Sequence, residues 1–251
     1  MTSNIDLRRR AGLLLWAALL LFACWNALEL GRPATPLPRE QRVAAGFAEL
    51  REAGGQGELV LLGDSITAGH AWHAAPGCPA PLNLAVSGAT TGEWLGQLDL
   101  VRRAGARRAL LLIGINDLRY QVPLADVLDN YRRLLDGLER AGVTPLLQST
   151  LRVTPLHPGH QVLNRQVDAL NHQLRAWARQ RGWLYLDVQA VVALRGYRGD
   201  GLHLNAAGFA AWRKLVEPLL CAGSGQPGQA QQPPGDDRHL HQPAGETQPD
   251  E

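Results

Sequence analysis

Leu59-Val60-Leu61-Leu62-Gly63-Asp64-Ser65-Ile66-Thr67 is the stretch that decides the fold. Four consecutive apolar residues without polar alternation read as a strand covered on both faces, the pattern of a parallel sheet. Gly63 lets the chain turn sharply, and Asp64 and Ser65 are residue types that begin helices. The stretch therefore encodes a strand, a tight turn and a helix N-terminus, with a serine at the junction.

Working outward, the same kind of short apolar run recurs at Leu82–Val86, Ala109–Ile113, Val143–Leu147 and Trp183–Asp187. Pro145 is compatible with the fourth only near that strand's start, because it has no N–H to give to a ladder. Between the runs, apolar residues recur at helical spacing. Leu124, Val127, Leu128, Tyr131, Leu135 and Leu138 form one face, and Leu163, Val167, Leu170, Leu174 and Trp177 a second. A third face, Phe209, Trp212, Leu215, Val216 and Leu219, follows Asn205, a good N-cap. Strands alternating with helices predict a three-layer α/β/α sandwich around a flavodoxin-like parallel sheet of about five strands. Chemistry in such sheets gathers at the carboxyl ends of the strands.

The flanks read differently. Arg8-Arg9-Arg10 precedes an apolar run from Ala11 to Leu28 that is apolar all round, so residues 1–30 are expected to be a membrane anchor or signal segment. An uncleaved signal anchor is the first reading. A cleaved secretory signal and a lipoprotein-type cleavage before Cys24 remain alternatives. In each case the remainder is expected outside the cytoplasm, on the periplasmic side in a bacterium. Gly31–Pro38 reads as a linker, and residues 31–221 as one domain. Residues 222–251, rich in Gly, Gln and Pro, have too few large apolar side chains to offset the entropy of ordering.

The 25 basic and 23 acidic residues are spread along the chain, which argues against a nucleic-acid partner. Cys24, Cys78 and Cys221 show no metal-site spacing, so neither a metal nor another cofactor is implied. In an oxidising compartment Cys78 and Cys221 either pair or stay as two thiols, and the sequence leaves both open.

Four connections carry candidate chemistry. Ser65 follows the first strand, at a helix N-terminus that stabilises developing negative charge. Gly88, in Asn83-Leu84-Ala85-Val86-Ser87-Gly88-Ala89-Thr90-Thr91, offers a backbone N–H. Asn116, in Gly114-Ile115-Asn116-Asp117, offers a side-chain amide. In Asp200-Gly201-Leu202-His203-Leu204-Asn205 a carboxylate three residues before a histidine can accept Nδ1–H and leave Nε2 free to take a serine proton. Each signal alone has a plainer reading as a cap or turn. Together they supply nucleophile, base, orienting acid and oxyanion donors on one edge of the sheet.

The motifs GDSIT, NLAVSGATT, GIND and DGLHLN resemble, in order, the four blocks of the SGNH (GDSL-like) hydrolases, and the resemblance spans about residues 59–220. It implies that Ser65 is the nucleophile, His203 the base and Asp200 its partner. The oxyanion hole is then made by the N–H groups of Ser65 and Gly88 and the side chain of Asn116. Ile66 stands where the family name has leucine. No G-x-S-x-G elbow surrounds Ser65, which argues against an ordinary α/β-hydrolase. The implied activity is a serine esterase acting through an acyl-enzyme on acyl or O-acetyl esters of small molecules, envelope lipids or glycans. Acyl transfer through the same acyl-enzyme and an idle binding module are the alternatives.

Other residues fit a plainer role. His70 and His73 are expected on a solvated loop. Arg119 and Tyr120 follow the GIND motif within reach of a substrate. Asp236, Asp237, His239 and His241 fall in the polar tail, and Trp72 and Trp94 have no evident place on a helix face.

Overall fold

A computed structural model describes residues 37–221. The chain divides after Arg42, and of the first part only residues 37–42 are described. The expected anchor, most of the linker, Cys24 and the tail with its Asp and His residues lie outside the described range. Among the described residues no helix is long and apolar enough to cross a membrane.

The strands are β1 (Leu59–Gly63), β2 (Leu82–Asn83), β3 (Arg108–Leu112), β4 (Thr144–Gln148) and β5 (Tyr185–Leu186). The helices are α1 (Arg39–Ala53), α2 (Ser65–Ala68), α3 (Thr91–Leu95), α4 (Leu98–Arg103), α5 (Ile115–Arg119), α6 (Leu124–Arg140), α7 (His160–Arg181), α8 (Val188–Val191) and α9 (Ala206–Leu220). A 3-10 turn at Leu194–Gly196 precedes the last helix. All strand pairs are parallel in the order β2-β1-β3-β4-β5, the flavodoxin-like order expected for a doubly wound sheet.

Every residue of β1 is buried, as an apolar run covered from both sides requires. Its register, Leu59 beside Arg108 through Gly63 beside Leu112, brings the ends of β1 and β3 to one level. The turns after them therefore open side by side. β2 is shorter than the apolar run around it, yet Leu84 and Val86 still donate their N–H groups to the carbonyls of Leu61 and Gly63. The second connection is thus tied to the same end of β1.

Pro145 sits one residue into β4. Thr144 donates to the β3 side at Arg107, whereas Leu147 and Ser149 donate to the β5 side at Leu184 and Leu186. By alternation, the N–H that Pro145 lacks falls on the β5 side, before β5 begins. The proline removes no ladder bond.

The two long amphipathic helices, α6 and α7, pack against each other and against β4. Val127, Tyr131, Leu134, Leu135 and Leu138 of α6 are buried, as are Leu163, Val167, Leu170 and Leu174 of α7. α9 begins at Asn205, whose Oδ1 accepts the N–H groups of Ala207 and Gly208. Its Trp212 is fully buried and donates through Nε1 to Gln148 at the end of β4, 2.6 Å away. A disulfide joins Cys78, between β1 and β2, to Cys221 at the end of α9, so of the two readings open for these cysteines the paired one holds.

Candidate active site

Ser65 is the first residue of α2. Asp64 caps that helix, its Oδ1 accepting the N–H of Ile66 at 2.9 Å. The serine hydroxyl, not needed as a cap, lies 2.9 Å from His203 Nε2. On the far side of the ring, His203 Nδ1 lies 2.7 Å from Asp200 Oδ2. Asp200 Oδ1 accepts the backbone N–H groups of Leu202 and His203, both at 2.9 Å, so one carboxylate closes the turn and holds the ring.

That turn needs its glycine. Gly201 has φ of +69°, and a Cβ there would sit 2.5 Å from Thr154 Oγ1 and 3.0 Å from the His157 nitrogen. The Thr154 N–H donates to the Gly201 carbonyl at 2.8 Å. The loop that follows β4 is thus packed under the residues presenting His203.

Burial works against the ionised form of Asp200, but the His203 ring and the two backbone N–H groups outweigh it and hold the carboxyl at about 2. An ionised Asp200 only accepts, so Nδ1 carries the proton and Nε2 turns its lone pair to Ser65. The arrangement can withdraw the serine proton.

The other half of the site is built from buried turns. Gly114, at φ of +113°, leads into α5, and a Cβ there would lie 2.9 Å from Leu170 Cδ2. Asn116 Nδ2 donates to the Ala89 carbonyl at 3.1 Å. Asp117 accepts the Thr91 N–H on both oxygens, at 3.0 and 3.1 Å, and the Thr91 hydroxyl at 2.5 Å. Thr90 and Glu93 form a reciprocal capping box at the start of α3. Gly88, at φ of +85°, lies between Val86, tied to Gly63, and Ala89, held by Asn116. The turns after β1, β2 and β3 are therefore bonded to one another, and the residues expected to form the oxyanion hole sit on them.

Two buried carboxyls lie beneath these turns. Burial raises Asp64 to about 7, against the N–H of Ile66 and with a contribution from Asp117, and its Oδ2 has no hydrogen-bond partner among the described residues. Burial also raises Asp117, although its bonds from Thr91 oppose the shift.

Asp117 and Thr91 carry no sequence expectation as parts of the frame, and Arg119 is expected only near a substrate. Only the capping box, Thr90 followed three residues later by Glu93, carries a readable signal. His70 corrects an expectation in part: it is half-buried, stacked on Phe209 of α9 with ring centroids 4.6 Å apart and met at its edge by Trp72 at 4.8 Å. His73 is exposed, as expected. Trp72 donates to the Thr67 carbonyl at 3.2 Å. Trp94 is fully buried and donates to the Gly63 carbonyl at 3.1 Å, two residues before Ser65. Tyr120 is exposed, and Arg119 lies partly buried beside Asn116.

Residues 61–211 match the model of the GDSL-like lipase/acylhydrolase family, more than half of the 251 residues. The chain belongs to that family. As a GDSL-like acylhydrolase it is a carboxylic-ester hydrolase. No curated protein matches it in sequence. Solved structures share the fold. A GDSL-like lipase from Bacteroides thetaiotaomicron is 18% identical over 72% of this chain and 96% of its own, with a TM-score of 0.57. A variant of an acetyl-xylooligosaccharide esterase from Geobacillus is 17% identical over 67% of this chain and 95% of its own, at 0.55. A lipolytic G-D-S-L family protein from Veillonella parvula is 14% identical over 64% and 96%, at 0.53.

Proposed function

We propose that this acylhydrolase works through Ser65, His203 and Asp200, and that its substrates are acyl or O-acetyl esters of envelope lipids or glycans. The observation that carries the reading is the unbroken relay from Ser65 Oγ to His203 Nε2, 2.9 Å, and from His203 Nδ1 to Asp200, 2.7 Å. His203 takes the hydroxyl proton as Ser65 Oγ bonds to the ester carbonyl carbon. The carbonyl oxygen becomes an oxyanion facing the N–H groups of Ser65 and Gly88 and the amide of Asn116. Collapse breaks the bond to the alkoxy oxygen, which leaves with the proton from His203. Water, deprotonated by His203, then attacks the acyl carbon, the bond to Ser65 Oγ breaks as the serine takes the proton back from His203, and the acid leaves.

The domain assigned to this chemistry is residues 31–221, and its place is outside the cytoplasm, held by the N-terminal segment. Two observations support that place: the apolar run after Arg8-Arg9-Arg10, and the bond between Cys78 and Cys221, which reducing cytosol disfavours. The name of the Geobacillus esterase supports an acetylated sugar among the substrates.

The test is fluorophosphonate labelling of the purified protein and of Ser65→Ala, alongside hydrolysis of nitrophenyl esters of increasing chain length, acetylated sugars and lysophospholipids. Labelling that survives in Ser65→Ala overturns the nucleophile. The ester panel separates short acyl from long acyl preference, and ester formed with an added alcohol acceptor identifies transfer.

A further inference from the structure

The amide of Asn116 is useful to an oxyanion only if Nδ2, not Oδ1, faces it, and two contacts decide that orientation. Nδ2 donates one hydrogen to the Ala89 carbonyl, while Oδ1 accepts from Arg119 Nη1 at 3.2 Å. A flipped amide would set Oδ1 against a carbonyl oxygen and Nδ2 against a guanidinium N–H, two repulsive contacts in place of two bonds. Asn116 is 2% exposed, so no water competes freely for either end. Asn116 and Arg119 lie three apart on α5, one turn of helix, which puts both side chains on the same face.

Among the described residues no carboxylate lies within ion-pair distance of Arg119, unlike Arg152 on Asp168 or Arg175 on Asp187. Its guanidinium is directed to a neutral acceptor. It also lies near enough to the buried Asp64 to favour that carboxyl's charged form. A cation bonded to an amide oxygen draws electron density from the amide nitrogen and strengthens its N–H groups as donors.

We propose that Arg119 is a positioning residue of the oxyanion hole: its bond to Asn116 Oδ1 fixes the amide with Nδ2 toward the reacting carbonyl and sharpens its remaining N–H as a donor. The inference rests on the reading of Asn116 as an oxyanion donor. Arg119 itself touches no reacting atom. Its effect belongs to the transition state, where the oxygen is charged, and not to ground-state binding of the ester.

The test is a double-mutant cycle of Arg119→Met and Asn116→Ala, with kcat expressed per active site titrated by fluorophosphonate and with nitrophenyl acetate as the probe. Arg119→Met is expected to lower kcat about tenfold with KM nearly unchanged, and Arg119→Lys, which keeps a charged donor, to retain most of the rate. In the Asn116→Ala background the Arg119→Met change is expected to cost less than about twofold, because the amide it serves is gone. Losses that multiply in the double variant, or a raised KM at constant kcat, overturn the inference. Failure of the underlying reading looks different: Asn116→Ala alone would then keep its rate.

Discussion

The two halves of the site are made in opposite ways. The half with Ser65, Gly88 and Asn116 stands on buried, mutually bonded turns: Asp64, Thr91, Asn116 and Asp117 are each at most 2% exposed, and their partners come from three different strand ends. The half with His203 is a short loop at the surface, where the side chains of His203 and Asp200 are 32% and 49% exposed. Its geometry is set mainly within the turn, by one carboxylate, one glycine with positive φ and the cap of α9, with the loop after β4 packed beneath it through the bond from Thr154 to Gly201. The difference teaches that Asn116 and the turns carrying Ser65 and Gly88 are fixed by the core, whereas the imidazole of His203, the base in the proposed mechanism, is held by a turn that solvent reaches. Substitutions in the first half are expected to alter activity and stability together, and those in the second to alter activity alone.

The sharpest break of that comparison is Asp200→Asn. The amide keeps the two backbone bonds but offers a donor to Nδ1, which favours the wrong tautomer, and kcat is expected to fall about 10⁴-fold. The midpoint of thermal unfolding is expected to move by less than about 2 °C, since the group is half exposed. Asn116→Ala comes next, with kcat down about 100- to 1000-fold, and steady-state kinetics with nitrophenyl acetate measures both.

Asp64 sits at about 7 in the folded chain against 3.8 for an ordinary aspartate. Between those values the folded state holds a proton that the unfolded state has released, so this group makes stability fall as pH rises from about 4 to 7. Above 7 the cost is complete, and below about 4 it is absent. Asp64→Asn keeps the cap on Ile66 and removes the charge. At pH 8 it is expected to be more stable than the parent in urea by up to about 4 kcal/mol, with the gap closing toward pH 4. Equal slopes in both proteins would place the titration elsewhere. The smallest effect is expected from Thr91→Val, which deletes the hydroxyl bonded to Asp117 and costs about 1 kcal/mol of stability with a modest loss of rate.

Most of the frame was readable in the chain because it depends on periodicity. Unbroken apolar runs located all five strands, and the faces of α6, α7 and α9 follow from spacing alone. The ends were less readable: β2 and β5 are two-residue ladders inside longer apolar runs, since a run reports burial and not hydrogen bonding. At the site, Ser65, His203 and Asp200 were named from position and spacing. Spacing gives Asp117 no role and places Arg119 only near a substrate, because the bonds they make depend on Thr91 and on the direction of an amide, neither of which leaves a periodic trace. His70 was misread for the same reason: its partner, Phe209, lies at the other end of the domain in sequence.

The bridge between Cys78 and Cys221 has a topological meaning beyond its strength. It closes a ring over 143 positions that contains Gly88, Asn116, Asp200 and His203 but leaves Ser65 outside. The ring can close only after the last helix has emerged, so a nascent chain carries Ser65 long before the covalent loop that holds the other proposed site residues exists. If the chain is exported N-terminus first, the ring closes only once Cys221 has crossed, and oxidation is the step that joins its two ends.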